Sequence, residues 1–160
     1  MRDGRGHRIL APSALGIVLL GVVAYMAIGC STRLVEGDGY EGIVFKPAAA
    51  ERALGSMLRG EDATYWAPSN RDIAALERAL AVYVARSAPG GLALAEYHRQ
   101  YFGFTRDGDR RVYVVGFCDD DPAARNWRHE FVPLGEAQLC HFEAEYDLAT
   151  GRVVRYWTIE

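Results

Sequence analysis

Lysine is almost absent from this 160-residue sequence, and no excess of positive charge takes its place. Lys46 is the only lysine, and 18 basic residues stand against 21 acidic ones, which gives a net charge of -3 at pH 7. The arginines are scattered among acids and form no long basic run after the first residues. Because phosphate binding requires clustered basic charge, we expect no nucleic-acid partner.

Motifs of known catalytic and metal sites are also missing. No Gly-x-Ser-x-Gly turn is present, and the glycine pairs lack the lysine and strand–helix context of a phosphate-binding loop. His98, His129 and His141 lack the close spacing of paired zinc ligands and are interpreted as surface residues. The acidic run 119–121 lacks the glycine and distal glutamate of a calcium loop. The sequence therefore predicts no catalytic residue, no cofactor and no metal site.

The N-terminus has the features of an export signal. Arg2, Arg5 and Arg8 open the chain, and no charged residue then occurs from residue 9 through residue 32. This stretch contains the apolar run 14–28, which small residues follow. A basic start, an apolar run and small residues at its exit are typical of a secretory signal. We therefore expect the rest of the chain to be exported.

The end of the apolar run resembles a bacterial lipobox. Ala27-Ile28-Gly29 places small residues before Cys30, and the resemblance implies cleavage after residue 29 and lipidation of the cysteine. Ser31 follows, a residue that permits transfer to the outer membrane in lipoproteins of this kind. The alternative is an uncleaved membrane helix, since the run reaches the roughly 20 residues that a bilayer requires. We expect a lipid anchor at the outer membrane facing the periplasm, or otherwise a single inner-membrane span.

The exported part divides into a short leading segment and one domain. Residues 31–46 show no clear period and contain several glycines, which indicates a tether. Pro47 occupies the first position of a possible short helix that ends near Leu58. Removal of the signal would leave a net charge of -5, because it carries three arginines and one aspartate. We predict a signal peptide at 1–29, a tether with a possible short helix at 30–64, and an α+β domain at 65–160.

The domain combines one helix with extended segments. Ser69 and Asp72 form a capping-box-like start, and apolar residues then recur every three or four positions, which predicts an amphipathic helix over 71–86. Two-fold alternation predicts strands at 97–105, 111–118, 130–146 with an interruption, and 152–159. We therefore predict an α+β fold in which one long amphipathic helix packs on a roughly four-stranded antiparallel meander, in two layers.

Two cysteines of the domain fall on apolar strand faces. Cys118 shares a face with Val112 and Val114, and Cys140 shares one with Phe142. Two such thiols should pair in an oxidising compartment, and the bridge would contribute on the order of 3 kcal/mol. The alternative is a thiol nucleophile or a metal ligand.

The second predicted strand is apolar on both sides, although one helix covers only one face of a sheet. The face of Tyr113, Val115 and Phe117 is therefore covered by the N-terminal segment of the chain or serves as a binding face for a partner or ligand. The segment offers six side chains for such self-coverage: Val44, Phe45, Leu54, Met57, Leu58 and Trp66.

Several short motifs occur in an order that resembles small exported bacterial proteins of unknown function. The motifs are Tyr65-Trp66-Ala-Pro68-Ser69, Arg99-Gln100-Tyr101-Phe-Gly103, Gly116-Phe117-Cys118, Cys140-His-Phe142 and Tyr146-Asp147-x-x-Thr150-Gly151. The resemblance covers about residues 65–151. The helix-plus-meander plan also resembles the cystatin-like fold and PepSY-type modules. None of these resemblances implies catalytic residues, and a fold alone does not license a function.

The sequence favours a non-enzymatic, lipid-anchored envelope protein whose domain binds another envelope protein or a small ligand. The alternative is a hydrolase acting on cell-wall or peptide substrates. Glu143 and Glu145 share a strand face, as paired carboxylates might in glycoside hydrolysis, but alternation on an exposed face explains them without catalysis. A pocket that joins either carboxylate to His98 or His141 would favour the hydrolase.

Overall fold

The computed structural model describes residues 32–58, 62–87, 93–118, 122–132 and 140–159. The predicted signal peptide at 1–29 and the predicted lipidation site Cys30 lie outside these residues. Within them, no helix combines the length and the apolar character that crossing a bilayer requires.

The described part is mixed α+β, as predicted, with seven strands and two α-helices. Two short 3-10 turns precede β4 and follow β5. The elements are β1 Thr32–Gly37, β2 Tyr40–Phe45, α1 Pro47–Leu54, β3 Thr64–Trp66, α2 Asn70–Ser87, β4 His98–Arg106, β5 Asp109–Phe117, β6 His141–Asp147 and β7 Arg152–Ile159.

The strands form one mostly antiparallel sheet. β4, β5, β6 and β7 make an antiparallel meander in which each strand pairs with the next along the chain. β1 and β2 form a hairpin, and β2 runs parallel to the first half of β4, while β3 pairs antiparallel with its second half. The prediction of roughly four strands is therefore wrong. The segment before α2 contributes three strands that the sequence pattern did not indicate.

Most of the predicted tether 31–46 belongs to the sheet, as β1 and β2, and the possible short helix that follows it is α1. Gly39 turns β1 into β2 with a φ of 77°, a left-handed conformation that glycine adopts without steric cost. Gly42 lies so close to β4 that a Cβ atom would overlap Arg99. β1 buries only Val35, so its sequence shows little alternation. These glycines thus mark a hairpin and close strand packing.

α2 begins where the capping pattern predicts. The backbone N–H and the hydroxyl of Ser69 both donate to the Asp72 carboxylate, at 2.9 and 2.7 Å. Such a cap stabilises a helix start by about 1 kcal/mol. The buried face then repeats at helical spacing through Ile73, Leu76, Leu80 and Val84. Full burial of each such side chain contributes about 1.5–3 kcal/mol, which fixes α2 on the sheet.

Both faces of the sheet are covered, so the predicted two-layer arrangement is wrong. α2 covers the face whose core side chains include Val112, Val114, Phe142, Ala144 and Tyr146. α1 and the segment 122–132 cover the opposite face, whose core includes Phe102, Phe104, Tyr113, Val115 and Phe117. The physical reason is that β5 is apolar on both sides, and each side must be removed from water.

The segment 122–132 is held in place by one buried side chain of β4. Gln100 is fully buried, and its Nε2 donates to the carbonyl oxygens of Trp127 and Glu130, each at 2.7 Å. The backbone N–H of Val132 donates to Gln100 Oε1 at 2.9 Å. Three hydrogen bonds therefore tie an irregular segment to the sheet. They replace the strand that was predicted to begin at residue 130.

Candidate functional site

The three residues of the predicted binding face lie in the core. Tyr113, Val115 and Phe117 are all buried beneath α1 and the segment 122–132. Of the side chains that were expected to cover them, Phe45, Leu54 and Leu58 pack in this cluster, whereas Val44 and Trp66 pack on the α2 side. Trp127 and Val132 complete the cover. Within the described residues, the chain itself thus occupies this face.

Cys118 and Cys140 are brought to disulfide distance. Their Cα atoms lie 5.8 Å apart, at the end of β5 and immediately before β6. The pair closes the connection between these two strands, which spans 22 positions of sequence. The geometry therefore suits a bridge that fixes how β6 enters the sheet.

A row of polar side chains on β6 lies inside the structure. His141, Glu143, Glu145 and Asp147 are 0, 6, 4 and 6% exposed. All four occupy the face that carries Tyr113, because Tyr113 pairs with Glu145 in the register of β5 and β6. The interpretation of this row as an exposed strand face is therefore wrong. β6 is an interior strand, and β5, β7 and the end of α1 enclose its polar side.

Glu145 is surrounded by arginines. Its Oε2 lies 3.2 Å from Arg111 Nη1 and 3.9 Å from Arg106 Nη2, and its Oε1 lies 3.4 Å from Arg155 Nη1. Three guanidinium groups thus compensate a single buried carboxylate. Through these ion pairs, Glu145 connects β4, β5 and β7 to β6.

Asp147 ends the row in a local turn. Its Oδ1 accepts hydrogen bonds from the Thr150 backbone N–H at 2.7 Å and from the Thr150 hydroxyl at 2.9 Å. The backbone hydrogen bond is the main cause that lowers the pKa of Asp147. The Asp147 carboxylate therefore stabilises the β6–β7 turn.

Glu143 differs from Glu145 because no arginine or lysine pairs with it among the described residues. The nearest basic atom is His141 Nε2, 3.5 Å from Glu143 Oε1. That oxygen is buried and has no hydrogen-bond partner among the described residues, and the same is true of Tyr113 Oη. Burial first, and then the charge of Glu143, raise the pKa of Tyr113. The phenol therefore keeps its proton and lies beside the Glu143 carboxylate.

A small cavity opens beside these two groups. Its volume is about 190 Å³, and it lies between the end of α1 and the sheet. Its walls combine apolar side chains with Arg155 and the two middle members of the polar row. The lining residues are Leu54, Met57, Leu58, Phe104, Tyr113, Glu143, Glu145, Arg155 and Trp157. A carboxylate acceptor set in apolar walls suits a small group that donates hydrogen bonds or carries positive charge.

None of the three candidate histidines, His98, His129 and His141, is among the residues that line this cavity. His98 stacks on Trp127 with ring centroids 4.5 Å apart, and its Nδ1 lies 3.8 Å from Glu41 Oε2. His129 is exposed. Among the residues that the structure describes, no three His, Cys, Asp or Glu side chains are grouped as metal ligands.

Comparison with protein-family models, with curated proteins and with solved structures finds no match to this chain. The site therefore stands on its own geometry. One signal in the sequence could have located it: the alternation His141-x-Glu143-x-Glu145 lies on a strand whose predicted neighbours are apolar on both faces. Polar residues that share a face with buried aromatic residues are themselves enclosed.

Proposed function

We propose that this protein is a lipid-anchored component of the cell envelope whose domain binds a small ligand in the cavity beside Glu143. The ligand carries a cationic or hydrogen-bond-donating group, and a primary amine on a short carbon chain is the simplest example. The observation that carries this proposal is the buried Glu143 Oε1, which has no hydrogen-bond partner among the described residues.

The energetic argument concerns the cost of burying a charge. An enclosed carboxylate is costly unless hydrogen bonds or ion pairs compensate it. Glu145 receives that compensation from three arginines, whereas Glu143 has a histidine at 3.5 Å. An ammonium group in the cavity would supply the missing partner of Glu143. The cost of burying the carboxylate would then fall on binding, and this decrease would contribute to the binding free energy.

The size of the cavity limits the ligand. About 190 Å³ corresponds to roughly six water molecules at ~30 Å³ each. Sites for drug-sized molecules are about 300–1,000 Å³. The cavity therefore suits a group the size of an amino-acid side chain, with its carbon chain against Leu54, Leu58 and Phe104. The same group could be a free amine or the end of a larger molecule.

Calorimetric titration of the processed protein with n-butylamine tests the binding site. We expect Glu143→Gln to weaken binding at least tenfold, about 1.4 kcal/mol, because the charge that pairs with the ammonium group is removed. Tyr113→Phe should weaken binding less. Glu36→Gln is the matched control, since it removes an exposed carboxylate from β1. Equal affinities in the Glu143 and Glu36 variants would refute the site.

The lipid anchor has a separate test. The intact mass of the membrane form should correspond to a chain that begins at Cys30 and carries acyl groups, and Cys30→Ala should block this processing. A full-length N-terminus in the membrane fraction would establish the uncleaved helix instead.

A hydrolase is the second candidate, and the pairing of His141 with Glu143 favours it. A carboxylate can orient a histidine that acts as a general base, and the two groups lie 3.5 Å apart, beyond the ~3.2 Å of a hydrogen bond. Turnover of cell-wall fragments or peptides by the wild type, lost in Glu143→Gln, would support this candidate. Amine binding without turnover supports the binding module.

A further inference from the structure

A second concave surface lies on the other side of the sheet, between α2 and the start of β7. Its volume is about 780 Å³, within the range of sites for drug-sized molecules. No acidic side chain lines it. The lining consists of Ala75, Arg78, Ala79, Val82, Tyr83, Arg86, Ser87, Tyr146, Gly151, Arg152 and Val153. We call this surface the arginine groove.

Three arginine side chains line the arginine groove. Arg78 and Arg86 lie eight positions apart on α2, which corresponds to about 12 Å along the helix axis, and Arg152 begins β7. All three residues are exposed, and the described residues supply none of them with an ion pair. Five arginines elsewhere in the described part are paired with carboxylates: Arg99, Arg106, Arg111, Arg128 and Arg155. The groove therefore concentrates uncompensated positive charge on an acidic chain.

The floor of the arginine groove is apolar and fixed. Tyr83 is half-buried, and its ring contacts that of Tyr156 with centroids 5.4 Å apart. Ala75 and Ala79 are small, so the helix surface between the arginines stays open. A ligand could thus place a carbon framework on Tyr83 while its anionic groups meet the guanidinium groups at the rim.

We propose that the arginine groove binds a free small molecule that carries two or more phosphate groups. Guanidinium groups bind phosphate through two parallel hydrogen bonds, and each phosphate brings up to two negative charges. Three arginines around one groove therefore match a multiply charged anion better than a single carboxylate. The concave shape favours a free molecule over headgroups in a flat membrane surface. This site is independent of the cavity beside Glu143, which lies on the opposite face.

Tripolyphosphate is the probe for a calorimetric titration of the processed protein. Arg78→Gln, Arg86→Gln and Arg152→Gln should each weaken binding about threefold to tenfold, and the affinity should fall as salt is raised. Arg71→Gln is the matched control, because it removes an exposed arginine from the same helix outside the groove. All four residues are exposed, so the variants should unfold at the midpoint of the wild type.

Two outcomes would overturn the proposal. An equal loss of affinity in Arg71→Gln and in the three groove variants would show that tripolyphosphate is attracted by the net charge of the protein alone. Binding to vesicles that contain phosphatidylglycerol, without binding to tripolyphosphate, would assign the arginines to a membrane surface. Loss confined to the groove variants, with free tripolyphosphate as ligand, supports the groove.

Discussion

The two faces of the sheet bury carboxylates in different surroundings. Beneath α2, Glu77 Oε1 accepts a hydrogen bond from Tyr101 Oη at 2.8 Å and lies 3.4 Å from Arg99 Nε. On the opposite face, Glu143 lies beside the Tyr113 phenol and 3.5 Å from His141 Nε2, with no arginine paired to it among the described residues. A buried carboxylate with a permanent cation joins elements of the fold, whereas one without such a cation is available to a ligand.

The Arg99 network illustrates the structural use of buried charge. Arg99 is fully buried, and it donates through Nη2 to the carbonyl oxygen of Leu94 at 2.6 Å and through Nη1 to that of Tyr97. Its guanidinium group also lies 5.1 Å from the centre of the Phe142 ring. The network thus connects α2, β4, β6 and the turn before β4.

The largest expected effect compares the same substitution on the two faces. Glu77→Gln should lower the free energy of unfolding by about 3 kcal/mol, because it leaves the buried Arg99 without its anion. Glu143→Gln should change it by less than about 1 kcal/mol, since no permanent ion pair is lost. Urea unfolding of both variants measures the difference. Equal losses would mean that Glu143 is as much a part of the framework as Glu77.

The cysteine pair offers the next largest effect, because it fixes β6 and therefore the row that carries Glu143. Cys118→Ala should cost about 3 kcal/mol while the far-UV circular dichroism is retained. In the wild type, alkylation of the unfolded, unreduced protein should leave both Cys118 and Cys140 unlabelled. Two labelled thiols in freshly isolated envelope material would contradict the bridge.

A smaller effect separates Asp147 from Glu143 within the row. The pKa of Asp147 is lowered in the folded protein, so its contribution to stability is present above the unfolded pKa of about 3.9 and is lost as the pH falls through the folded pKa. Asp147→Asn should therefore cost about 1 kcal/mol at neutral pH. The difference in free energy of unfolding between Asp147→Asn and the wild type should disappear below about pH 4. A gap that is constant across the acid range would argue against this role.

The elements whose apolar residues recur at a regular spacing could be predicted from the sequence. α2 extends one residue beyond the predicted helix at each end, because Ser69 and Asp72 cap a regular apolar stripe. The four strands of the meander lie where alternation places them, apart from residues 130–132. The possible helix at Pro47 is α1, which ends at Leu54.

The remaining parts depend on contacts between distant segments. β1 and β2 are short and rich in glycine, and they become strands because β2 pairs with β4. The polar row of β6 has the alternation of a solvated strand, and only the positions of α1 and β7 enclose it. Neither the missing partner of Glu143 nor the convergence of Arg78, Arg86 and Arg152 can be read from local sequence, because each results from tertiary packing.

The parallel pairing of β2 with β4 also bears on the order in which the chain folds. Val44 pairs with Tyr101, 57 positions later, whereas β1 with β2 and β4 with β5 pair across tight turns. Closing the longer loop costs more chain entropy, so we expect the hairpin and the meander to form before they join. Until then, the edge of β4 is unpaired, and such edges promote aggregation. The β1–β2 hairpin precedes β4 in the sequence. During synthesis, which starts at the N-terminus, β2 is therefore made before the β4 edge with which it pairs.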